Sequence, residues 1–558
     1  MKNFSKLLFL VFLFGINFAH AASFVISGDE TNAQTLDANN ETGLINAGAT
    51  LSTTSNSITV NNVSGAQVTN NGTIASTSDS VFAILGTGAN STSARVVNNG
   101  AITLQGSFSA GIALVGSNAV VINSGDIVAQ GSVAAGVILE GDNSVMINSG
   151  TISVTGANNP VAVNLDSIGS SDNTLVNTGT ISATESAVLA IVGSTGDQTI
   201  FLGKGSRITG TINLNTGNDT ITATGNGIST RVATSDTNNF VVSPGVAGVV
   251  VGNSIHTIDP TSVAALTVSA NNLVKTIGGE VNSRVNVEEG KAWTKVFGSE
   301  FERGDDTKNL SYNHDYNGVI AGYEYGNNFG VILGVSTGEI KTDSQSFKSN
   351  VDSAFIGFYK DLEIANSTFL NTNLIAGYEQ YKNERTVIDN INGTQVARSD
   401  VNNLFISPSV ELEHRIKLHE VLQIVPNASA NYTSSYFGSS AETGATASNV
   451  ATEKRDVHIL NLKAGISAIA TIMKNYQINL GAGLDSRKIS EDNASASISG
   501  NNFTFNTNND KNVSGKYFDL GLNFIGFEDL TFGVNASTRS ADGGEDQKSA
   551  NLSGSYRF

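Results

Sequence analysis

Few side chains in this sequence could do chemistry, and their distribution already limits the possible reactions. The 558 residues include no Cys, which excludes disulfide scaffolds, thiolate zinc sites and cysteine nucleophiles. Between residues 22 and 258 the only His is His256, at the very end of the segment. A Ser-His-Asp triad needs an imidazole beside its serine, and zinc sites usually draw on His and Cys. We therefore expect no metal, no cofactor and no triad hydrolase.

Carboxylates are the remaining candidates for acid–base chemistry. Residues 22 to 258 contain 14 acidic and four basic residues, a net charge of -10. A pair of carboxylates is enough for glycoside chemistry, and β-helices can host such a pair. The acids are scattered along the sequence, however, and no basic cluster accompanies them. An enzymatic passenger, such as a polysaccharide lyase or hydrolase, is therefore the alternative and not the main prediction.

Two short motifs have structural explanations. Gly-Asn-Asp-Thr-Ile at 217–221, with Gly196-Asp197 upstream, resembles part of a calcium-binding β-roll, which needs tandem nonapeptides to complete each ion's oxygen shell. Tandem copies are absent, so we predict a turn near the end of a solenoid. Arg303-Gly304-Asp305 spells an integrin-type tripeptide, but it lies where Gly and Asp already predict a turn.

The first half of the chain repeats an Asn-x-Gly-x-Ile motif at intervals of about 24 to 31 residues, a period that is typical of solenoids. Short β-branched strands flank each copy, and the Asn and Gly between them suit a tight corner with positive φ. Stacked corners would align the Asn side chains in an amide ladder. The sequence therefore predicts a right-handed parallel β-helix of seven to nine coils, roughly 40 Å long. The full copies are Asn70 and Gly72, Asn98 and Gly100, Asn123 and Gly125, Asn148 and Gly150, and Asn177 and Gly179.

The N-terminus has the pattern of a secretory signal. Lys2 and Lys6 precede an apolar run at 7–14, and Ala-His-Ala at 19–21 supplies a signal-peptidase site. We expect cleavage between Ala21 and Ala22. No later run reaches the roughly 20 apolar residues of a membrane helix, so a membrane-bound mature chain would have to be a barrel.

Composition changes near Asp259, since all 12 Tyr and the single Trp follow it. Asp259-Pro260 predicts a helix that starts with Pro at the first helical position, and Gly278-Gly279 is expected to loosen its last turns. Apolar residues recur at three- and four-residue spacing over about 20 residues, which gives one apolar stripe. The stripe contains Val263, Leu266, Ala270, Leu273, Ile277 and Val281.

The rest of the chain predicts an outer-membrane barrel. Segments of roughly 10 residues alternate apolar and polar side chains between turns, with the polar ones expected in the lumen. A soluble β-sandwich is the alternative, but the even number of long strands and the secretory signal argue against it. Tyr323, Tyr325, Tyr359, Tyr378 and Tyr476 lie near strand ends and suit interfacial girdles.

Twelve barrel strands are expected. They begin near Ala292, Asp315, Phe329, Val351, Thr368, Asn402, Leu422, Val457, Tyr476, Lys516, Leu530 and Lys548.

Together these features resemble the autotransporter family, the type V secretion proteins of Gram-negative bacteria. The resemblance rests on the signal, the Asn-x-Gly-x-Ile solenoid, the helix after Asp259, the first barrel strand at 292–298 and the terminal Tyr556-Arg557-Phe558. It implies an all-β protein whose 12-stranded pore is threaded by the helix, and Tyr556 and Phe558 would carry the assembly signal. It also implies outer-membrane lipid, the Sec translocon, periplasmic chaperones and the barrel-assembly machinery as partners.

The expected domains are a signal peptide at 1–21, a β-helix passenger at 22–258, a linker helix at 259–286 and a barrel at 287–558. Some family members cut themselves at an Asn-Asn pair in the lumenal helix, and Asn271-Asn272 is the corresponding pair here. The distance of this pair from Trp293 differs from that in the self-cleaving members. We therefore expect no cleavage, with the passenger staying attached to the barrel.

The expected function is surface display of a passenger that adheres or self-associates, through an unknown surface ligand or copies on neighbouring cells. An enzymatic passenger and a structural coat without specific binding are the alternatives. The net charge of -18 argues against nucleic acid as a partner.

Overall fold

A computed structural model describes residues 23–165, 172–184, 189–193, 195–233, 239–283, 291–305, 310–325, 327–342, 346–472, 475–490, 493–507, 511–524 and 530–557. Within these ranges the chain forms two compact units, which divide mainly after Pro244. Strands dominate both, which confirms the all-β class; one α-helix and one short 3-10 turn complete the described elements. The expected cleavage site at Ala21 and Ala22, and Phe558, lie outside these ranges.

The first unit is a parallel β-solenoid, as predicted, in which successive coils add one strand to each of three sheets. The first sheet contains Phe24–Ile26, Thr42–Ile45, Gln67–Asn70, Arg95–Asn98, Val120–Asn123, Val145–Asn148, Thr174–Asn177, Thr199–Leu202, Thr220–Ala223 and Asn239–Val242. The second contains Asp29–Glu30, Thr50–Ser52, Thr73–Ser76, Ala101–Leu104, Asp126–Gln130, Thr151–Thr155, Thr180–Thr184 and Arg207–Thr209. The third contains Gln34–Leu36, Ile58–Asn61, Phe82–Thr87, Ala110–Leu114, Ala135–Leu139, Val161–Asn164, Leu189–Val192 and Thr211–Asn213.

Alternation along each strand builds the solenoid core, because successive side chains of a strand point to opposite faces. In Thr151–Thr155, the buried residues are Ile152 and Val154, and the residues between them are half-buried. Pairing in register places Ile152 between Ile127 and Ile181 of the adjacent coils. Apolar side chains of the same position therefore stack from coil to coil.

The five repeat asparagines form a ladder inside the solenoid. From Asn70 to Asn177, each Nδ2 donates to the Oδ1 of the next asparagine at 2.7–2.8 Å. Asn177 ends the ladder by donating to Ser206 Oγ at 2.7 Å. All five side chains are fully buried. A buried amide that loses its partner costs about 1–3 kcal/mol, so the ladder fixes the stacking register.

The glycine of each repeat is required by close stacking, and the prediction of a positive φ there was wrong. The five glycines do not appear among the residues with positive φ. A Cβ on Gly125 would lie less than 3.0 Å from the carbonyl oxygen of Gly100, and the same holds from Gly150 onto Gly125. Glycine therefore lets the backbone of one coil lie directly on the next.

The second unit contains a closed barrel of twelve antiparallel strands, which confirms the predicted number. The first and last strands close it, pairing continuously from Lys291 with Arg557 to Arg303 with Glu545. The strands are Lys291–Arg303, Tyr312–Tyr325, Phe329–Thr342, Phe347–Ala365, Thr368–Asp389, Gly393–His414, Leu422–Phe437, Arg455–Ile472, Tyr476–Ser490, Asn512–Phe524, Leu530–Ala541 and Glu545–Arg557.

Several strands are longer than the sequence predicted. The strand expected near Asn402 begins at Gly393, and two strands reach 22 residues. About 9–11 residues suffice to cross a bilayer, so these strands extend beyond it. Their extensions carry mixed polar residues without the apolar alternation, which is why the pattern placed the start too late.

Short elements accompany the barrel and the solenoid. Four strands form a separate antiparallel sheet, called here the loop sheet: Ser440–Ala441, Val450–Thr452, Asn493–Ile498 and Asn501–Asn506. The other short elements are Ser229–Arg231, Gly248–Val251, Ser254–Thr257, Ile416–His419 and the 3-10 turn Asp542–Gly544.

The outer face of the barrel carries exposed apolar side chains, among them Val296, Leu333 and Ile356. Of the tyrosines expected in interfacial girdles, Tyr323, Tyr325, Tyr378 and Tyr476 are exposed on this face. The prediction for Tyr359 was wrong, because its ring is buried and its hydroxyl accepts a hydrogen bond from Trp293 Nε1 at 3.1 Å. Among the described residues, no helix is long and apolar enough to cross a membrane.

Candidate functional site: the helix in the barrel lumen

The single described helix lies inside the barrel. It spans Thr261–Asn282, and 16 of its 22 residues are buried. Pro260 is the N-cap rather than the first helical residue, and Asp259 Oδ1 accepts the Thr261 N–H at 2.8 Å. The expected loosening at Gly278-Gly279 was wrong, since the helix continues to Asn282.

The apolar stripe of the helix meets apolar and aromatic side chains of the barrel wall. The expectation of a polar lumen was therefore wrong for this sector, because an apolar helix face needs apolar partners. Around the first half of the helix, the cluster contains Leu266, Ala270, Phe301, Tyr312, Ile340, Phe347, Tyr381, Phe437 and Val457. Around the second half it contains Leu273, Ile277, Val281, Trp293, Phe297, Tyr316, Ile332, Phe355 and Tyr359.

Hydrogen bonds at both ends fix the direction of the helix. At its start, Thr261 Oγ1 accepts the N–H of Leu310, which lies beyond the first barrel strand, at 2.9 Å. Near its end, Lys295 Nζ donates to the backbone oxygen of Glu280 at 2.7 Å and to its Oε2 at 3.2 Å. Asn551 Nδ2 donates to the other carboxylate oxygen at 2.8 Å. The helix thus begins at the end of the barrel where the first strand connects to the second. It ends at the opposite end, near the start of the first strand and the end of the last strand.

The Asn271-Asn272 pair lies in the middle of the lumen, and both side chains are engaged. Asn461 Nδ2 donates to Asn271 Oδ1 at 2.8 Å, and Asn272 Nδ2 lies 3.1 Å from His314 Nε2. Asn271, Asn272 and His314 are at most 1% exposed. The two amides therefore dock the helix against opposite parts of the wall.

A buried cluster of charges connects the helix to the last strands. Lys275 Nζ lies 3.2 Å from Asp485 Oδ2, which also accepts from Arg539 Nε at 2.7 Å. Arg487 Nη2 donates to Glu545 Oε1 at 2.6 Å, with side chains 2% and 1% exposed. Arg539 Nη1 lies 3.4 Å from Glu545 Oε2 and so bridges the two carboxylates. Three cations and two carboxylates thus share one network.

The loop sheet packs where the helix begins. Its Val450, Ala496 and Phe505 form an apolar cluster with Ala247 and Ile258 from the residues before the helix. Nearby, Arg385 makes a two-pronged contact with Glu442, with Nε to Oε1 at 2.9 Å and Nη2 to Oε2 at 2.6 Å. His256, the one imidazole considered for a triad, is buried with its Nδ1 2.9 Å from Ser448 Oγ.

Several acidic residues of the solenoid accept hydrogen bonds from its own backbone. Asp219 is fully buried and its Oδ1 accepts the N–H of Gln198 at 2.8 Å. Asp197 Oδ1 accepts the N–H of Asn218 at 2.8 Å in the same stack of turns, where the calcium-like motif lies. Hydrogen bonding from the N–H of Ala38 lowers the pKa of Glu41. Across the part of the chain that the structure describes, no three His, Asp or Glu side chains gather as a metal site.

The remaining sequence motifs also have structural roles. In the Arg303-Gly304-Asp305 tripeptide, the Arg303 side chain is buried at the end of the first strand, so the three residues do not form an accessible recognition loop. Tyr556 is half-exposed on the outer face of the last strand and pairs with Ala292 of the first.

Sequence reasoning did not single out the charges of the lumen. Five charged residues form the network or hold the end of the helix, and none of them belongs to a sequence motif. They are Lys275, Glu280, Arg487, Arg539 and Glu545. A signal was present, because a charged residue at an inward position of a membrane strand must find a partner. Pairing them needed the strand register, which alternation alone does not supply.

The C-terminal domain decides the family. A family model described as the autotransporter β-domain matches residues 292–557. Residues 292–557 form an autotransporter β-domain. This barrel therefore inserts in the outer membrane, with the general assembly machinery for such barrels. The barrel loops on the side where the helix begins are on average longer than the loops on the other side. In outer-membrane barrels the longer loops are extracellular.

Solved structures that are similar to this chain include three autotransporter translocator domains. The translocator domain of autotransporter NalP from Neisseria meningitidis has a TM-score of 0.44 and 13% identity, and the alignment covers 54% of this chain and all of that chain. The β-domain of the Bordetella autotransporter BrkA has a TM-score of 0.37 and 13% identity, covering 49% and 100%. The transport unit of AIDA-I from Escherichia coli has a TM-score of 0.33 and 11% identity, covering 49% and 93%. No curated protein matches the chain in sequence.

Proposed function

We propose that this autotransporter displays its β-helix passenger on the cell surface for adhesion or self-association. The observation that carries the proposal is the array of hydroxyl side chains on the outer face of the solenoid. Thr151, Ser153 and Thr155 pair in register with Thr180, Ser182 and Thr184 of the next coil, and all six are half-buried. Such an array offers many weak hydrogen-bonding sites, and multivalency converts weak sites into firm attachment between cells.

The proposed route to the surface starts with cleavage of the signal after Ala21 and export through the Sec translocon. Periplasmic chaperones then deliver the chain to the barrel-assembly machinery, with Tyr556 and Phe558 as the assembly signal. The proposed domains are the signal peptide at 1–21, the β-helix passenger at 22–258, the linker helix at 259–286 and the barrel at 287–558. The partner on the outside is either a surface ligand or the same protein on a neighbouring cell.

An enzymatic passenger and a coat without specific binding remain the alternative functions. The acids Asp197, Asp219 and Glu41 already accept backbone hydrogen bonds, which supports binding rather than acid–base chemistry. Polysaccharide turnover by cells that display the full chain would favour the enzyme.

Cells that display the full chain are expected to aggregate and adhere more than cells that carry the signal at 1–21 joined to residues 259–558. The difference isolates the passenger, because both cells carry the same barrel and helix. Settling of cell suspensions and counts of adherent cells measure it. Equal behaviour of the two cells would remove the adhesion proposal. As a control for display, protease added to intact cells in enough urea to unfold the passenger should digest the passenger and leave the barrel.

We further propose that the passenger stays covalently attached to its barrel. Self-cleavage requires that the side-chain amide of an asparagine is free to attack its own backbone carbonyl. The side chain of Asn271 is hydrogen-bonded to Asn461, and that of Asn272 to His314. Wild-type cells and cells with Asn271→Ala plus Asn272→Ala should therefore show the same full-length band and no passenger in the medium. Release by the wild type that the double variant abolishes would contradict the proposal.

A further inference from the structure

One corner of the solenoid carries two exposed apolar residues in a strained conformation. Phe108 and Val133 have φ values of 55° and 56°, in the left-handed region. This region disfavours bulky and β-branched residues, whereas Asn and Gly enter it readily. Their side chains are 59% and 41% exposed, so burial in the core does not explain the residue choice.

The other left-handed positions of the solenoid show what the fold itself prefers. In the described part of the solenoid, every other residue with positive φ that is not Gly is Asn or Ser. These residues are Asn40, Asn62, Ser80, Ser93, Asn118, Asn143, Asn158, Asn159 and Asn215. Phe108 and Val133 are thus the two exceptions, and they occupy the same corner of two adjacent coils.

This corner is held rigidly by its neighbours. The N–H of Phe108 donates to the carbonyl of Ser132 at 2.8 Å, and the N–H of Val133 donates to that of Ala157 at 3.1 Å. One coil earlier, the N–H of Ser80 donates to Ser107 in the same way. Ser80, Phe108, Val133 and Asn158 therefore form one stacked row. An apolar pair in a fixed row loses little conformational freedom on binding.

The two segments that carry the pair are uncharged, and one exposed carboxylate, Asp79, lies beside them in the preceding coil. Residues 105–111 and 130–136 contain no charged side chain, although the passenger as a whole carries -10. The neighbouring carboxylate, Asp79, accepts the N–H of Ser107 at 2.7 Å. Two acidic passengers can therefore approach each other here with less repulsion than elsewhere.

We propose that Phe108 and Val133 form the contact through which this passenger binds a second copy of itself on another cell. This inference rests on the proposed adhesive function and names its partner. When two solenoids meet antiparallel at this corner, Phe108 of each lies opposite Val133 of the other, which gives the self-complementary contact of a two-fold pair.

The patch is small, so a contact between two copies depends on many such contacts acting together. A stable pair of soluble proteins needs roughly 1,200–2,000 Å² of buried surface, far more than two side chains provide. Many copies presented by two facing cells supply the missing affinity through multivalency.

The test compares the full chain with its variant F108N/V133N on the cell surface. Asn is what the fold uses at neighbouring corners, so the variant is expected to fold and to resist protease at least as well as the wild type. V25N is the matched control, because Val25 is the remaining exposed large apolar side chain of the described solenoid, at 53%. Wild-type and V25N cells are expected to aggregate, and F108N/V133N cells to aggregate about tenfold less or not at all.

Mixing differently coloured cells identifies the partner. Wild-type cells should recruit wild-type cells and exclude both F108N/V133N cells and barrel-only cells, which carry the signal at 1–21 joined to residues 259–558. Unchanged aggregation of the double variant overturns this inference and leaves the adhesive function standing. Recruitment of barrel-only cells also overturns it, because the partner is then another surface component. Wild-type aggregation no greater than that of barrel-only cells removes both the inference and the adhesive function.

Discussion

Replacing Glu545 with Gln is expected to leave the barrel unable to resist SDS without heating. The carboxylate of Glu545 faces Arg487 and Arg539, and its side chain is 1% exposed. Among the described residues, the neutral amide leaves these two buried guanidinium groups with Asp485 as the remaining carboxylate of the network, and Lys275 shares that carboxylate. Removing one partner from a buried ion pair costs about 3–5 kcal/mol, because the other charge stays desolvated.

The neighbouring residue provides a matched control for this change. Asp546 follows Glu545 in the same strand but is exposed, so Asp546→Asn removes the same charge without opening the network. The shift between folded and unfolded bands on unheated gels, repeated over a urea series, measures barrel stability. Equal urea midpoints for the E545Q and D546N variants would show that the buried network does not stabilise the barrel.

Replacing Gly125 with Ala is expected to destabilise the passenger by about 1–3 kcal/mol, the usual cost of forcing extra volume into a packed region. A Cβ at this position would lie less than 3.0 Å from the carbonyl oxygen of Gly100 in the coil below. The coils must then separate, and the ladder bonds of Asn123, at 2.8 Å to Asn98 and to Asn148, lengthen with them.

Gly28→Ala is the control for this second change, since a Cβ at Gly28 meets nothing within 4 Å and its φ is not positive. Urea-dependent protease resistance of the displayed passenger reports the stability of both variants. We expect G125A passengers to be digested at clearly lower urea than wild type, with G28A unchanged. Identical curves for all three would contradict the stacking explanation of the repeat glycines.

The sequence predicted the elements of both units because their patterns are periodic. The spacing of Asn98, Asn123 and Asn148 predicts one coil per repeat, and alternation through Tyr476–Ser490 predicts a membrane strand. Each of these signals is local or repeats at a fixed interval. The fold class and the strand number follow from them without knowledge of contacts.

The site depended on information that is not periodic. Lys275 and Asp485 are 210 residues apart, and only the closed barrel brings them together. Tyr359 occurs near a strand end like the girdle tyrosines, yet it faces inward because Trp293 and the helix need a partner there. The repeat glycines matched a turn rule, while the actual reason was the distance between coils.

The asparagine ladder also makes the passenger extendable in whole units. Each coil contacts only the coils on either side, as in other solenoids, and each rung of the ladder is identical to the next. An in-frame duplication of residues 123–147 would add one coil and about 4.8 Å of length, with every asparagine still paired. Duplication and loss of single repeats therefore give evolution a simple way to change the length of the solenoid.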